Sequence, residues 1–489
     1  MALHWLDYVV VAAYVVGLTT FGTWFARFQH TSRDYFLTGR SVPWWAICFT
    51  VVATETSTVT FIGVPAAAFT GNMTFLQLPL GYVVGRVVVS VWFLPAYFRG
   101  ELLTSYQWLE HRFGPSVRTA GAVIFLVTRS LADGVRLFTT ALVIAVVTGV
   151  PVPWTIALLG TAMIVYTVYG GSAAVIWTDV VQMFVYLAGA LIVFAALWWG
   201  IEGGWAAVAA AGEAAGKFDV FDLSLDLSRT YTFWAGLVGG VALTLATHGT
   251  DQFLVQRLLS ARSAREAGIG LVASGVLVLL QFALFLVIGV MLFTYYQQAP
   301  LGAPLGRADE ILPTFVVSTL PHGVAGFIVA AIVAAALSPS INAMAAATVN
   351  DVYLRWVNPT ADEQTVMRLA YRATFVWGLV QLVVALACQW MDRGVLDAGL
   401  SILSITAGPV LGAFLVGFAG LRVGAAAMLT GMGAGVLLLA YLAIWQADAV
   451  AWTWYAFIGA AATALVAQVV AFAAGRVTPR DARSSPPAP

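Results

Sequence analysis

The chain runs to 489 residues, of which 61% are hydrophobic and 9% charged, well under the roughly 25% charge of a soluble domain. Its formal net charge of +0 gives no basic field for a nucleic-acid partner. No P-loop, HExxH, GxSxG or zinc spacing occurs, so ATP-driven pumping and enzyme chemistry have no support. Repeated apolar runs, each near the roughly 20 residues needed to cross the hydrocarbon core, predict an all-α integral membrane protein in a lipid bilayer.

The first apolar run begins almost at the N-terminus, with no basic leader or small-residue cleavage site, so no removable signal peptide is expected. Hydropathy and breaker residues give about 13 spans, starting near 5, 43, 73, 117, 153, 172, 231, 267, 320, 367, 397, 423 and 452. Most arginines, from Arg27 to Arg483, fall on one side of that layout, and only Lys217, Arg229, Arg307 and Arg393 fall on the other. The positive-inside rule then puts the C-terminus in the cytoplasm and the N-terminus outside a cell inner (plasma) membrane. Loops 201–230 and 294–319 are external, and the basic, then Ser- and Pro-rich tail 476–489 cannot bury a core. Cys48 and Cys388 lie in apolar runs and read as packing residues, not as a disulfide or metal site.

Two spans are interrupted at mid-membrane depth. The first carries Ala53-Thr54-Glu55-Thr56-Ser57-Thr58-Val59-Thr60 before Gly63 and Pro65, and the second carries Thr244 to Gln252 around His248-Gly249. Unwound backbone at that depth survives only when buried in protein or lining a cavity. The breaks lie five spans apart, the spacing expected of two five-helix repeats that each begin with a broken helix.

Glu55 is the leading functional residue, because an intramembrane carboxylate costs about 3 kcal/mol and marks an ion path. It reads as a cation ligand or proton carrier, or as an ion-pair partner for Arg86, for which Asp133 is the other candidate. Arg129, Asp133 and Arg136 share one helix face and read as structural ion pairs. His248, with Ser57, Thr60, Gln77, Thr244 and Thr247, is a candidate substrate contact; Asp251 reads as gate or cap. Asp179 and Gln182 read as an exit or a helix N-cap. Ser338 and Ser340, in the small-residue run that ends the ninth span, offer oxygens to a hard monovalent cation.

At these residues the sequence resembles the sodium:solute symporter family. The marks are Phe36-Leu37-Thr38-Gly39-Arg40, Tyr169-Gly170-Gly171 leading to Trp177-Thr178-Asp179 and Gln182, Asp251-Gln252 with Gln256-Arg257, Ser338 to Tyr353, and Gly408-Pro409. The resemblance implies a LeuT-type core of two inverted repeats, 43–200 and 231–419, with the first helix and its loop in 1–42 and two further spans in 420–475. It implies a sodium site made by the carbonyls of Ala53 and Thr56, with Glu55 nearby and the ninth span opposite. There the two adjacent hydroxyl residues that many members use are replaced by Ala335 and Ala336. Either Ser338 and Ser340 compensate, or Glu55 supplies the charge, or a proton replaces sodium.

The reading is cation-coupled symport of a small polar organic solute by alternating access, Na+ being the expected coupling ion and H+ the alternative. No other cofactor is expected. Substrate is expected between the two breaks and the span around Ser401 to Pro409, with Ser404 as a contact. An uncoupled facilitator and a transporter-shaped sensor are the rival readings. The sequence indicates no oligomeric state and no single substrate among polyols, sugars, amino acids and small carboxylates.

Overall fold

The computed structural model describes residues 3–100, 102–300, 308–334, 340–390 and 395–475, without the side chains of 59, 146–147 and 395–404. The described residues are helical apart from loops and one isolated parallel bridge between Val42 and Ala261. Ala335, Ala336 and Ser338 therefore lie outside the described residues, as does the side chain of Ser404.

The elements that frame the site are α1 (Trp5–Thr23), α2 (Trp44–Glu55), α3 (Thr58–Thr70), α4 (Gln77–Val88), α5 (Pro115–Thr148), α6 (Val152–Gly200), α7 (Gly240–Thr244), α8 (Gln252–Leu259), α9 (Ala264–Gln298), α10 (Val324–Ala334), α11 (Ile341–Ala347), α12 (Glu363–Ala387) and α13 (Val395–Phe418), followed by α14 (Ala425–Trp445) and α15 (Tyr455–Ala473). By length and composition seven described helices can cross a membrane, or eight when α2 and α3 form one bent span. The sequence predicts about 13 spans. Of the five predicted spans not counted, one is lost where α6 joins two, and two where short pieces replace single helices around 231–259 and 324–347. One more is lost because α5 is not among the seven, and one because α13 counts only as the shorter apolar helix Ile405–Phe418.

At a rise of 1.5 Å per residue, the 49 residues of α6 would extend about 74 Å, more than twice the hydrocarbon core. The chain breaks at Gly171, whose φ of 56° and ψ of −149° suit only a residue without a Cβ. A Cβ there would also stand 2.7 Å from the Tyr35 ring and carbonyl.

Packing brings the broken segments together. Against α4, a Cβ on Gly81 would lie 2.1 Å from the Gly236 carbonyl oxygen, and one on Gly85 would lie 2.7 Å from Thr244. Small residues thus let α4 and the segment entering the second break approach closely, as in other membrane bundles. The buried apolar side chains form two clusters, one containing Ala46 and Val51 and the other Val52 and Ala53. Their boundary crosses α2 one turn before its end, where the polar site begins.

Candidate transport site

The first break follows from local chemistry. A run of threonines and serine competes with the helix for backbone hydrogen bonds, and α2 ends at Glu55. Thr56 (φ −78°, ψ 101°) and Ser57 (φ −97°, ψ 168°) are extended, and α2 meets the outer part of α3 at 61°. A capping box starts α3: the Ser57 amide donates to Thr60 Oγ1 at 3.4 Å and the Thr60 amide to Ser57 Oγ at 3.2 Å. In a continuous helix those two amides would serve the carbonyls of Ala53 and Thr56. The break therefore turns both carbonyls out of the helical ladder.

Neighbouring helices hold the opened segment. Gln281 of α9 donates to Thr56 Oγ1 at 2.8 Å, Thr58 Oγ1 donates to the Ile332 carbonyl of α10 at 3.0 Å, and Thr140 of α5 donates to Thr58 Oγ1 at 3.1 Å. Each bond joins the break to a different helix.

The second break is less open. A π turn over Leu245–Thr250 widens the helix, after which Asp251 alone is extended (φ −73°, ψ 121°). The Asp251 carboxylate accepts from the Phe253 amide at 2.8 Å and caps α8. The carbonyls of Gly249 and Thr250 receive the hydroxyls of Tyr97 and Ser105.

Glu55, Arg86 and His248 join the two breaks. Glu55 Oε2 forms a close ion pair with Arg86 Nη2, and Glu55 Oε1 lies 3.1 Å from His248 Nε2. The Arg86 side chain is fully buried and that of Glu55 is 16% exposed, so Glu55 is the more accessible of this pair. Arg86 Nη1 donates to Ser274 Oγ at 2.8 Å, and His248 Nδ1 lies 2.9 Å from Thr247 Oγ1. Of the two partners open to Arg86 in the sequence, the structure places Glu55.

The other predicted residues distribute around this centre. Arg129 lies 3.7 Å from both Asp133 and Asp251, and Arg136 reaches the Thr54 carbonyl at 3.5 Å. Asp251, Thr128, Thr250 and Thr406 line a cavity of about 30 Å³ beside the second break, room on the scale of a water molecule. Thr244 is buried against Gly85. Gln77 bonds the carbonyls of Thr74 and Tyr231 and the amide of Asp222, which ties it to the 201–230 loop. Ser340 accepts from Gln381 at 3.0 Å.

Asp179 lies inside α6, eight residues beyond the Gly171 break, so the N-cap alternative is corrected. Its carboxylate accepts from Thr50 Oγ1 at 2.6 Å and pairs with Arg257 at 3.1 Å. Sequence reasoning missed Arg257 as this partner, and also Ser274 and Gln281. The last two lie seven residues, about two helical turns, apart on one face of apolar α9, which is the signal that marks them.

A profile of the sodium:solute symporter family matches residues 35–435. The chain belongs to the sodium:solute symporter family. It is 32% identical to the sodium/sialic acid symporter NanT of Aliivibrio fischeri, over 88% of this chain and 86% of that one. It is 30% identical to the human sodium/iodide cotransporter, over 90% of this chain and 69% of that protein. A solved Na+-coupled sialic acid symporter, substrate-bound and outward-open, superposes with a TM-score of 0.88 at 27% identity, over 96% of this chain and 98% of that one. This family member is thus a multi-pass, LeuT-type, Na+-coupled solute symporter rather than an enzyme.

Proposed function

We propose that the symporter carries sodium together with a small organic carboxylate, bound between the two breaks, into the cell across the plasma membrane. The observation that carries this reading is the pairing of Arg86 and His248 around one carboxylate at the junction of the breaks. A guanidinium that binds Glu55, with an imidazole 3.1 Å from the same carboxylate, forms a receptor for a carboxylate. Two relatives support it, since their names assign them sialic acid and monocarboxylates, whereas a third is named for iodide, an anion without a carboxylate.

In this reading Ala53 and Thr56 offer carbonyls to sodium, and the 335–340 segment with Ser338 and Ser340 completes that site. Ser57, Thr60, Thr247, His248 and Ser404 surround the cargo, with Thr244 packed behind them against Gly85, while Asp179, Gln182 and Asp251 lie on the exit path. The two inverted repeats are 43–200 and 231–419, and the N-terminus is outside.

The test is uptake of radiolabelled sialic acid, lactate and other monocarboxylates into proteoliposomes under an imposed sodium gradient. Accumulation should require sodium, and entry indifferent to the gradient would sink the reading. Clamping the membrane potential measures stoichiometry. One sodium with one monovalent anion carries no net charge and ignores the potential. A second sodium adds about 2.3 kcal/mol per 100 mV, or roughly fortyfold accumulation.

A further inference from the structure

We propose that Glu55 is an exchangeable carboxylate: without cargo it occupies Arg86 and His248 in the cargo's place, and when cargo arrives it transfers to the sodium site. The proposal rests on the carboxylate reading above and adds how the two ligands become coupled.

The argument begins with the two oxygens of Glu55. Oε2 faces Arg86 and Oε1 faces His248, so both oxygens are already engaged by these two groups. Yet Glu55 stands in the chain between Ala53 and Thr56, whose carbonyls the capping box has released. Arg86 is anchored from behind by Ser274 and fully buried, and His248 by Thr247. Of the three side chains Glu55 is the most exposed, at 16% against 2% for His248 and 0% for Arg86, so it is the one that can leave while the other two stay.

Charge favours the exchange. A buried guanidinium left alone in the membrane core is costly, so Glu55 stays until another carboxylate replaces it. A sodium ion at released carbonyls, without an anion beside it, is costly for the same reason. An arriving cargo carboxylate satisfies Arg86 and His248 and frees Glu55 to neutralise sodium. Each ligand then strengthens the binding of the other, and by linkage the factor is the same in both directions.

Sodium alone is a sufficient probe, with radiolabelled sodium binding measured on the full-length protein in nanodiscs. If Arg86 and His248 hold Glu55 back, Arg86→Gln should raise sodium affinity about tenfold, within the span usual for coupled ligands. His248→Gln should raise it by less, and Glu55→Gln should lower it about tenfold. The double variant Glu55→Gln/Arg86→Gln decides between exchange and simple loss of a positive charge. Exchange predicts that Arg86→Gln does nothing once Glu55 is absent, whereas charge loss predicts the same rise in both backgrounds and would overturn the proposal.

Should Arg86→Gln fail to fold, His248→Gln with and without Glu55→Gln gives the same comparison without removing an arginine. An unchanged or weaker affinity in His248→Gln would also overturn the exchange. Wild-type protein that bound no sodium would remove the cation site and this inference with it, while the carboxylate reading fails separately, in the uptake panel.

Discussion

The two breaks differ in what they leave unsatisfied. At the first, two residues uncoil, and the Ser57 and Thr60 amides turn to each other's hydroxyls, which releases the carbonyls of Ala53 and Thr56. At the second, the π turn keeps the chain wound, only Asp251 is extended, and Tyr97 and Ser105 donate to the carbonyls of Gly249 and Thr250. One break therefore presents backbone oxygens, the donors a hard cation takes, and the other presents the side chains of His248 and Asp251. Glu55 touches both, since it ends α2 and reaches His248.

The largest effect that would sharpen this contrast is expected at the contact joining the breaks. Arg86→Leu leaves the Glu55 carboxylate without its guanidinium and should cost about 3–5 kcal/mol, read as a lower melting temperature of the detergent-solubilised protein. Pairing it with Glu55→Gln removes the stranded charge, and the double variant should recover most of that stability. Strictly additive losses would mean that the two residues do not act as a pair.

The caps give a smaller and more discriminating effect. Ser57→Ala and Asp251→Ala each remove an N-cap, worth about 1 kcal/mol, and Asp251→Ala also takes a carboxylate from Arg129, so it should melt at the lower temperature of the two. They should part in sodium binding: Ser57→Ala disturbs the amide exchange that releases the Ala53 and Thr56 carbonyls and should weaken it severalfold, while Asp251→Ala should leave it near wild type. Equal weakening in both would erase the division of labour between the breaks.

Much of this division was legible in the sequence because the polar residues of a membrane span stand out against apolar neighbours. The positions of both breaks, the candidacy of Glu55 and His248, and the need of Arg86 for an acidic partner follow from single residues in apolar runs. Partners on remote helices do not. Glu55 and Asp133 are equally acidic in sequence, and only packing through Gly81 and Gly85 sets α4 beside the second break. The pairing of Asp179 with Arg257 was hidden because Arg257 reads as one more positively charged residue near a span end. Gln77 illustrates the opposite error: an intramembrane amide resembles a ligand contact, yet its hydrogen bonds go to loop backbone at Tyr231 and Asp222.

The smallest effect should come from that loop, which joins neither break. Asp222 accepts from the Ser224 amide at 3.0 Å and pairs with Arg229, whose side chain is 59% exposed. Hydrogen bonds from Ser224, and then the Arg229 charge, hold its carboxyl below the usual range. A carboxylate with a depressed folded pKa contributes its stability above the unfolded value, near 3.9, and loses it as pH falls through the folded value. Hydrogen exchange at 217–231, corrected for the intrinsic rate, should therefore be flat from neutral pH to about 5 and rise only below about 4. Asp222→Asn should remove that acid-dependent rise, cost no more than about 0.5 kcal/mol at neutral pH because the pair is exposed and screened by salt, and leave sodium binding unchanged. A loss of sodium binding in Asp222→Asn would show that the loop is coupled to the first break through Gln77, and the separation between loop and site would have to be redrawn.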